Sequence, residues 1–164
     1  MMHFCPFLFR HSPAVPEMDF SGTIVELGVA SETDPLTTTS ELKLKVGDKV
    51  FGSVEVPSHI GGGHGTLSEF VVVNMKHCCL APKGSRMEEL AGLPIAGVTA
   101  MKLVNTAKAY IGEGGQVLVN GASGGIGSLA VQLVRAMVGE SGRVVAVCSG
   151  RNTDFVLQQG ADEV

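Results

Sequence analysis

The sequence predicts an α/β chain in two parts, a β-rich first half and a β-α-β-α second half. Three observations carry that prediction. Up to about residue 85, runs of β-branched residues are bounded by glycine. From Met87 onward, apolar residues recur at helical spacing. Two short apolar runs, Gln116–Asn120 and residues 143–148, are each followed by a helical stretch, the pattern of a parallel sheet covered by helices.

Taken in order, residues 21–29 are β-branched and glycine-bounded and predict a first strand. Residues 30–40 are rich in Ser and Thr around Pro35 and predict an exposed loop. Leu42, Leu44 and Val46 alternate with Lys43 and Lys45, the period of a half-buried strand, and Gly47-Asp48 marks a turn into a strand beginning Lys49-Val50-Phe51-Gly52. Further strands are expected over residues 52–56 and 67–73, separated by residues 58–65, whose glycines argue against regular structure. Residues 88–91 and 97–107 predict two helices with Pro94 between them, closed by the glycines of residues 112–115. After the strand Gln116–Asn120 comes a helix whose Ile126, Leu129, Ala130, Leu133, Val134 and Met137 fall on one face. Residues 139–142 end it; a strand over residues 143–148 and a helix over residues 153–159 complete the unit.

Composition sets the class. At 164 residues the chain is one domain or two small ones, by the rule of roughly 150 residues per domain. With 45% hydrophobic and 17% charged residues it can bury a core, which argues against disorder. The net charge of −4, with no basic cluster, argues against nucleic-acid binding. Cys5, Cys78, Cys79 and Cys148 have no disulfide-framework or zinc-knuckle spacing, which fits a reducing compartment. No apolar run approaches the ~20 residues of a membrane span. The first nine residues lack the basic region and cleavage site of a secretory signal, so the expected setting is cytoplasmic, with a mitochondrial presequence built on Arg10 as the alternative.

Chemistry concentrates at Gly121-Ala122-Ser123-Gly124-Gly125-Ile126-Gly127, between a strand and a helix. A glycine-rich turn there sets backbone N–H groups and the positive end of the helix dipole where an anion can sit. In the dinucleotide pattern G-x-G-x-x-G the matching positions are Ala122, Gly124 and Gly127, so alanine replaces the first glycine and Gly121 is placed to take over the bend. An NAD site would set an Asp or Glu about 20 residues on, at the tip of the second strand. That tip reads Cys148-Ser149-Gly150-Arg151-Asn152, without a carboxylate. Arg151 and Ser149 offer donors to a 2′-phosphate instead, which selects NADPH. The glycines read alone also fit a turn that only packs helix on strand, and Arg151 also fits a solvated surface residue. His59 and His64 have no third ligand at tight spacing, so no metal site is expected. His77, Cys78 and Cys79 read as a strand-to-loop junction, Tyr110 as a packing residue, and Lys102 and Lys108 as solvated helix faces.

Three stretches, Met18-Asp19-Phe20-Ser21-Gly22-Thr23-Ile24-Val25, Val46-Gly47-Asp48-Lys49-Val50-Phe51-Gly52 and Gly65-Thr66-Leu67-Ser68-Glu69-Phe70-Val71-Val72, resemble successive strands of the GroES-like domain of medium-chain dehydrogenases. Three more, Leu93-Pro94-Ile95-Ala96-Gly97-Val98-Thr99-Ala100, the glycine turn with Val119-Asn120 before it, and Gly160-Ala161-Asp162-Glu163-Val164, resemble the zinc-independent quinone oxidoreductase branch, zeta-crystallin included. The resemblance runs from about residue 17 to the last. It implies an unmatched segment 1–16, a partial GroES-like β domain over 17–85, and the first β-α-β-α half of a Rossmann NADP-binding domain over 86–164. It also implies transfer of hydride from NADPH to a quinone or the β-carbon of an enone, without zinc: Glu17-Met18-Asp19 stands where zinc-using relatives carry Gly-His-Glu, and their four-cysteine lobe is missing.

By the same resemblance Thr99 would approach the nicotinamide end, Ser123, Gly124, Gly125 and Ile126 would hold the diphosphate, and Ser149 and Arg151 would face the adenosine phosphate. No catalytic side chain is implied. The family's first strands, its substrate-pocket Asn, Asp and Tyr, and its dimerisation strand find no counterpart in the chain, so a fragment is expected. The alternative function is a non-catalytic fragment that binds nucleotide or another chain. A short-chain dehydrogenase also fits the spelling of Gly121, Gly125 and Gly127, but that family needs Tyr-x-x-x-Lys, and Tyr110 is followed four positions later by Gly114.

Overall fold

The computed structural model describes residues 14–28 and 44–164. The chain forms two compact units, Met1–Ile95 and Ala96–Val164.

In the first unit, β1 (Asp19–Thr23), β2 (Lys49–Ser53) and β3 (Cys78–Leu80) form an antiparallel sheet in that order. Phe20 pairs with Gly52 and Gly52 with Cys78, and Phe20, Val50 and Cys78 make the buried core, with Ile24, Leu44 and Val73 packed against it. Gly52 is required at its position, since a Cβ there would stand 2.0 Å from the His77 carbonyl oxygen. Burial pushes the Cys78 thiol up from its ordinary value, and Cys79 adds to the rise. Gly47, at φ +91, makes the turn into β2. A short helix α2 (Met87–Leu90) lies against β1, where the Ser21 hydroxyl donates to the Met87 carbonyl at 2.7 Å. The Asp19 carboxylate accepts the Ile95 amide at 3.2 Å, closing the start of α3 (Pro94–Ala107) from a neighbouring strand. Burial pushes that carboxyl up, the Ile95 bond opposing and Glu17 adding to the rise.

Several expectations for this unit are corrected. The first strand is Asp19–Thr23, not residues 21–29. Its pairing closes at Ile24, whose amide donates to the Asp48 carbonyl at 2.9 Å, and Val25 and Leu27 beyond it are exposed. Lys45 and Val46 are not strand, and Val46 is exposed beside the turn; Leu42 and Lys43 lie outside the described residues, as do the expected loop at 30–40, Val29 and Cys5. Residues 52–56 do not form a separate strand, because β2 ends at Ser53 and Val56 opens helix α1 (Val56–Gly62). That helix occupies the stretch whose glycines argued against regular structure: Pro57 pre-sets its first turn and Gly63, at φ +69, ends it. Residues 67–73 are not strand either. β-propensity makes a strand only where a neighbour takes the ladder bonds, and Val72 is fully exposed while the Ser68 hydroxyl turns back to the Phe70 carbonyl at 2.7 Å. His77 ends a 3-10 turn (Met75–His77) and Cys78 opens β3, so the expected junction is the entry to a strand.

The second unit has β4 (Gln116–Asn120), α4 (Gly125–Val138), β5 (Arg143–Val147) and α5 (Thr153–Gln158) following α3. β4 and β5 pair in parallel, from Gln116 with Arg143 to Asn120 with Val147. Val144 and Ala146 from the sheet, Val131, Val134 and Val138 from α4, and Val104 and Val156 build one core. Complete burial of Val131, Val138, Val144 and Val156 contributes about 1.5–3 kcal/mol each before entropy is counted. The expected face of α4 is largely the buried one: Ala130 and Val134 are buried and Leu133 and Met137 pack against the core, while Val131 and Val138 join it fully buried and Ile126 is 40% exposed. Tyr110 is 86% exposed and is not a packing residue.

Arg135 ties the end of α4 to its surroundings. Its guanidinium donates to the carbonyls of Gly160, Gly139 and Gly142 at 3.0, 2.7 and 3.0 Å and pairs with Asp162. The Asp162 carboxylate also accepts the Val144 amide at 2.7 Å; that bond, then Arg135, holds its carboxyl below the usual carboxylate range. These contacts, with a parallel bridge from Val145 to Glu163, fix residues 160–163 beside β5.

Candidate functional site

Because β4 and β5 run parallel and in register, their C-terminal ends lie side by side, and the segments that follow them meet there. After β4 the chain turns sharply at Gly121, at φ +72, a conformation that glycine adopts without strain. The Gly121 and Ala122 amides both donate to the Val147 carbonyl at 3.0 Å, and the Gly124 amide donates to the Gly121 carbonyl at 3.0 Å. Ala122 is fully buried, so this position fixes the turn rather than presenting a surface.

The remaining amides of the turn are differently placed. α4 begins at Gly125, its N-cap Gly124 gives no side-chain cap, and no acidic residue stands in its first turn. The first amides of a helix have no acceptor within the helix. Among the described residues the amides of Ser123, Gly125, Ile126 and Gly127 have no acceptor. Two glycines here serve different ends. A Cβ at Gly127 would stand 2.1 Å from the Gly121 carbonyl oxygen, so this glycine lets the helix close on the turn; a Cβ at Gly125 would meet nothing within 4 Å. The arrangement can bind an anion through backbone donors and the helix dipole.

The segment after β5 forms a 3-10 turn (Gly150–Asn152). Ser149 precedes it, exposed, its carbonyl accepting the Asn152 amide at 2.8 Å. Arg151 is exposed, and among the described residues its guanidinium has no ion-pair partner. No carboxylate stands at the β5 tip, and Asp154 lies in the first turn of α5. The fold therefore brings Ala122, Ser123, Gly124, Gly125, Ile126 and Gly127 to the same strand ends as Ser149 and Arg151. Thr99 is half-buried on α3.

One residue of this corner escaped the sequence reading. The Asn152 side-chain amide donates to the Ser123 hydroxyl oxygen at 3.0 Å and joins the two segments. An Asn just before a helix reads as an N-cap, and nothing in the one-dimensional pattern shows that it reaches back 29 residues. Among the described residues, no group of three or more His, Cys, Asp or Glu could hold a metal ion, and no helix is long and apolar enough to cross a membrane.

No protein-family model matches the chain. Individual proteins do. It is 39% identical over 163 residues to a chloroplast envelope quinone oxidoreductase homolog of Arabidopsis thaliana, covering 97% of this chain and 44% of the relative. It is 34% identical over 155 residues to a trans-enoyl reductase of Aspergillus terreus, covering 93% of this chain and 39% of the relative. Relatives named as chloroplastic and as mitochondrial both occur. Among solved structures, an E. coli K-12 protein, YhdH, with bound NADPH superposes with a TM-score of 0.69 at 28% identity, covering 97% of this chain and 45% of that one. The chain thus spans less than half the length of the relatives it matches. The solved neighbours are quinone oxidoreductases with GroES-like and Rossmann domains, and the chain, a mixed α/β fold, covers about 40% of them. In sequence the chain is similar to quinone oxidoreductases and enoyl reductases of the medium-chain dehydrogenase/reductase family, and in fold to solved quinone oxidoreductases.

Proposed function

We propose that the chain carries the nucleotide-binding part of an NADPH-dependent oxidoreductase that reduces quinones or activated enones without zinc. The observation that carries this reading is the set of unaccepted amides at Ser123, Gly125, Ile126 and Gly127, set at the ends of two parallel strands before open space. The donor set suits a diphosphate: backbone N–H groups, a helix N-terminus, and no opposing carboxylate in the first turn. The exposed Arg151 and Ser149 suit a 2′-phosphate, because the guanidinium fork matches phosphate oxygens. Thr99 is assigned to the nicotinamide end. Ala122 and Gly124 serve as framework, since their amides are engaged within the turn. On this reading residues 17–85 are the GroES-like part and residues 86–164 the dinucleotide-binding part.

When bound, the nicotinamide supplies the hydride. The residues of this chain bind and orient it, which lowers the barrier through positioning. The substrate is a small molecule bearing an electrophilic carbon, and an organelle is as open a setting as the cytoplasm, given the named locations of the relatives. A second reading has these residues bind nucleotide or another chain without turnover. NADPH oxidation over a set of quinones separates the two.

Titration of the chain with NADPH tests the binding claim. A Cβ at Gly125 meets nothing within 4 Å, so Gly125→Val, which sets a branched side chain among these donors, is expected to weaken NADPH binding at least about tenfold while leaving the melting temperature nearly unchanged. Unaltered binding in this variant would place the anion elsewhere.

A further inference from the structure

Asn152 stands at the N-cap position of α5, where an asparagine side chain ordinarily accepts an amide of the first helical turn. It makes no such bond; its Nδ2 donates to Ser123 Oγ at 3.0 Å, across the gap between the two segments that follow β4 and β5. A serine hydroxyl has one proton to give and two lone pairs to receive with. With the Asn152 amide on one lone pair, the Ser123 proton is directed away from Asn152, and among the described residues nothing accepts it. The neighbouring amides of Ser123, Gly125, Ile126 and Gly127 are also without acceptors.

We propose that Asn152 is a positioning residue for the nucleotide diphosphate: by donating to Ser123 Oγ it sets the Ser123 hydroxyl as a proton donor to the bound anion. This rests on the reading of the turn as a nucleotide site and adds a role for a residue that does not itself touch the ligand. An asparagine that leaves its own helix uncapped in order to reach the turn has given up a local bond for a remote one, and the remote bond fixes the direction of a hydroxyl proton. An aspartate in its place would accept that proton and turn it from the ligand.

The test is a double-mutant cycle on the full chain, read as the dissociation constant for NADPH, with melting temperatures to follow folding. Ser123→Ala and Asn152→Ala are each expected to weaken NADPH binding about tenfold, and the double variant to bind no more weakly than the weaker single one. Asn152→Asp, nearly isosteric, keeps the test usable where the alanine variant does not fold. It is expected to weaken binding by at least as much, and by a smaller factor in the Ser123→Ala background. Losses that multiply in the double variant, or an Asn152 variant that folds and binds NADPH as the wild type does, would overturn the proposal. Wild-type chain that fails to bind NADPH would overturn the nucleotide reading itself and this inference with it, an outcome separate from additive losses.

Discussion

Arg151 and Gly127 show how differently two residues of one corner can be read. Gly127 is a matter of space: a Cβ there would stand 2.1 Å from the Gly121 carbonyl oxygen, so substitution disturbs the turn before any ligand arrives. Arg151 is a matter of charge, exposed and without an ion-pair partner among the described residues. On the proposed reading, Arg151→Ala lowers affinity for NADPH about tenfold and leaves NADH unchanged, because only the former carries the 2′-phosphate. Equal losses for both nucleotides in a calorimetric titration would remove Arg151 from the site. The glycine spelling was legible in the sequence, and so was the missing carboxylate at the β5 tip. The division of labour among the glycines was not, because whether a Cβ meets backbone or open space depends on how the turn folds back on Gly121.

Among the elements, those of the second unit follow their sequence pattern closely, since each buries its apolar face within the same local β-α-β arrangement. The first unit departs from its pattern where a run of β-branched residues has no neighbouring strand to pair with, as at residues 67–73, and where Pro57 and Gly63 supply the start and stop of a helix that the intervening glycines disguise. Pattern carries local preference; pairing partners come from distant sequence. The tie between α4 and residues 160–163 has its own consequence. The folded state holds the Asp162 carboxyl below its ordinary value, through the Val144 amide and then Arg135, so its contribution to stability is complete above the ordinary carboxylate range. That contribution is lost as pH falls through the depressed folded value. Thermal unfolding from about pH 7 to about pH 3 is expected to show this acid loss in the wild type. Asp162→Asn should be less stable at neutral pH and show a shallower acid decline; an unchanged acid decline would assign the effect to other carboxylates.

At the scale of the molecule, the β4–β5 sheet is covered on one face by α4 and leaves Leu118 and Val147 exposed on the other, 64% and 45%. The relatives are more than twice the length of the region matched, so activity over quinones or enones belongs to the proposal rather than to the likeness. What the described residues hold is a turn of unaccepted amides at the ends of two parallel strands, the corner proposed to bind nucleotide. The most direct test of it follows the backbone amide resonances of the whole chain during an NADPH titration. The account predicts the largest shifts at Ser123, Gly125, Ile126 and Gly127, with Arg151 moving for NADPH and not for NADH. Saturable binding that leaves the amides of Ser123, Gly125, Ile126 and Gly127 unmoved, or no binding at all, would contradict it.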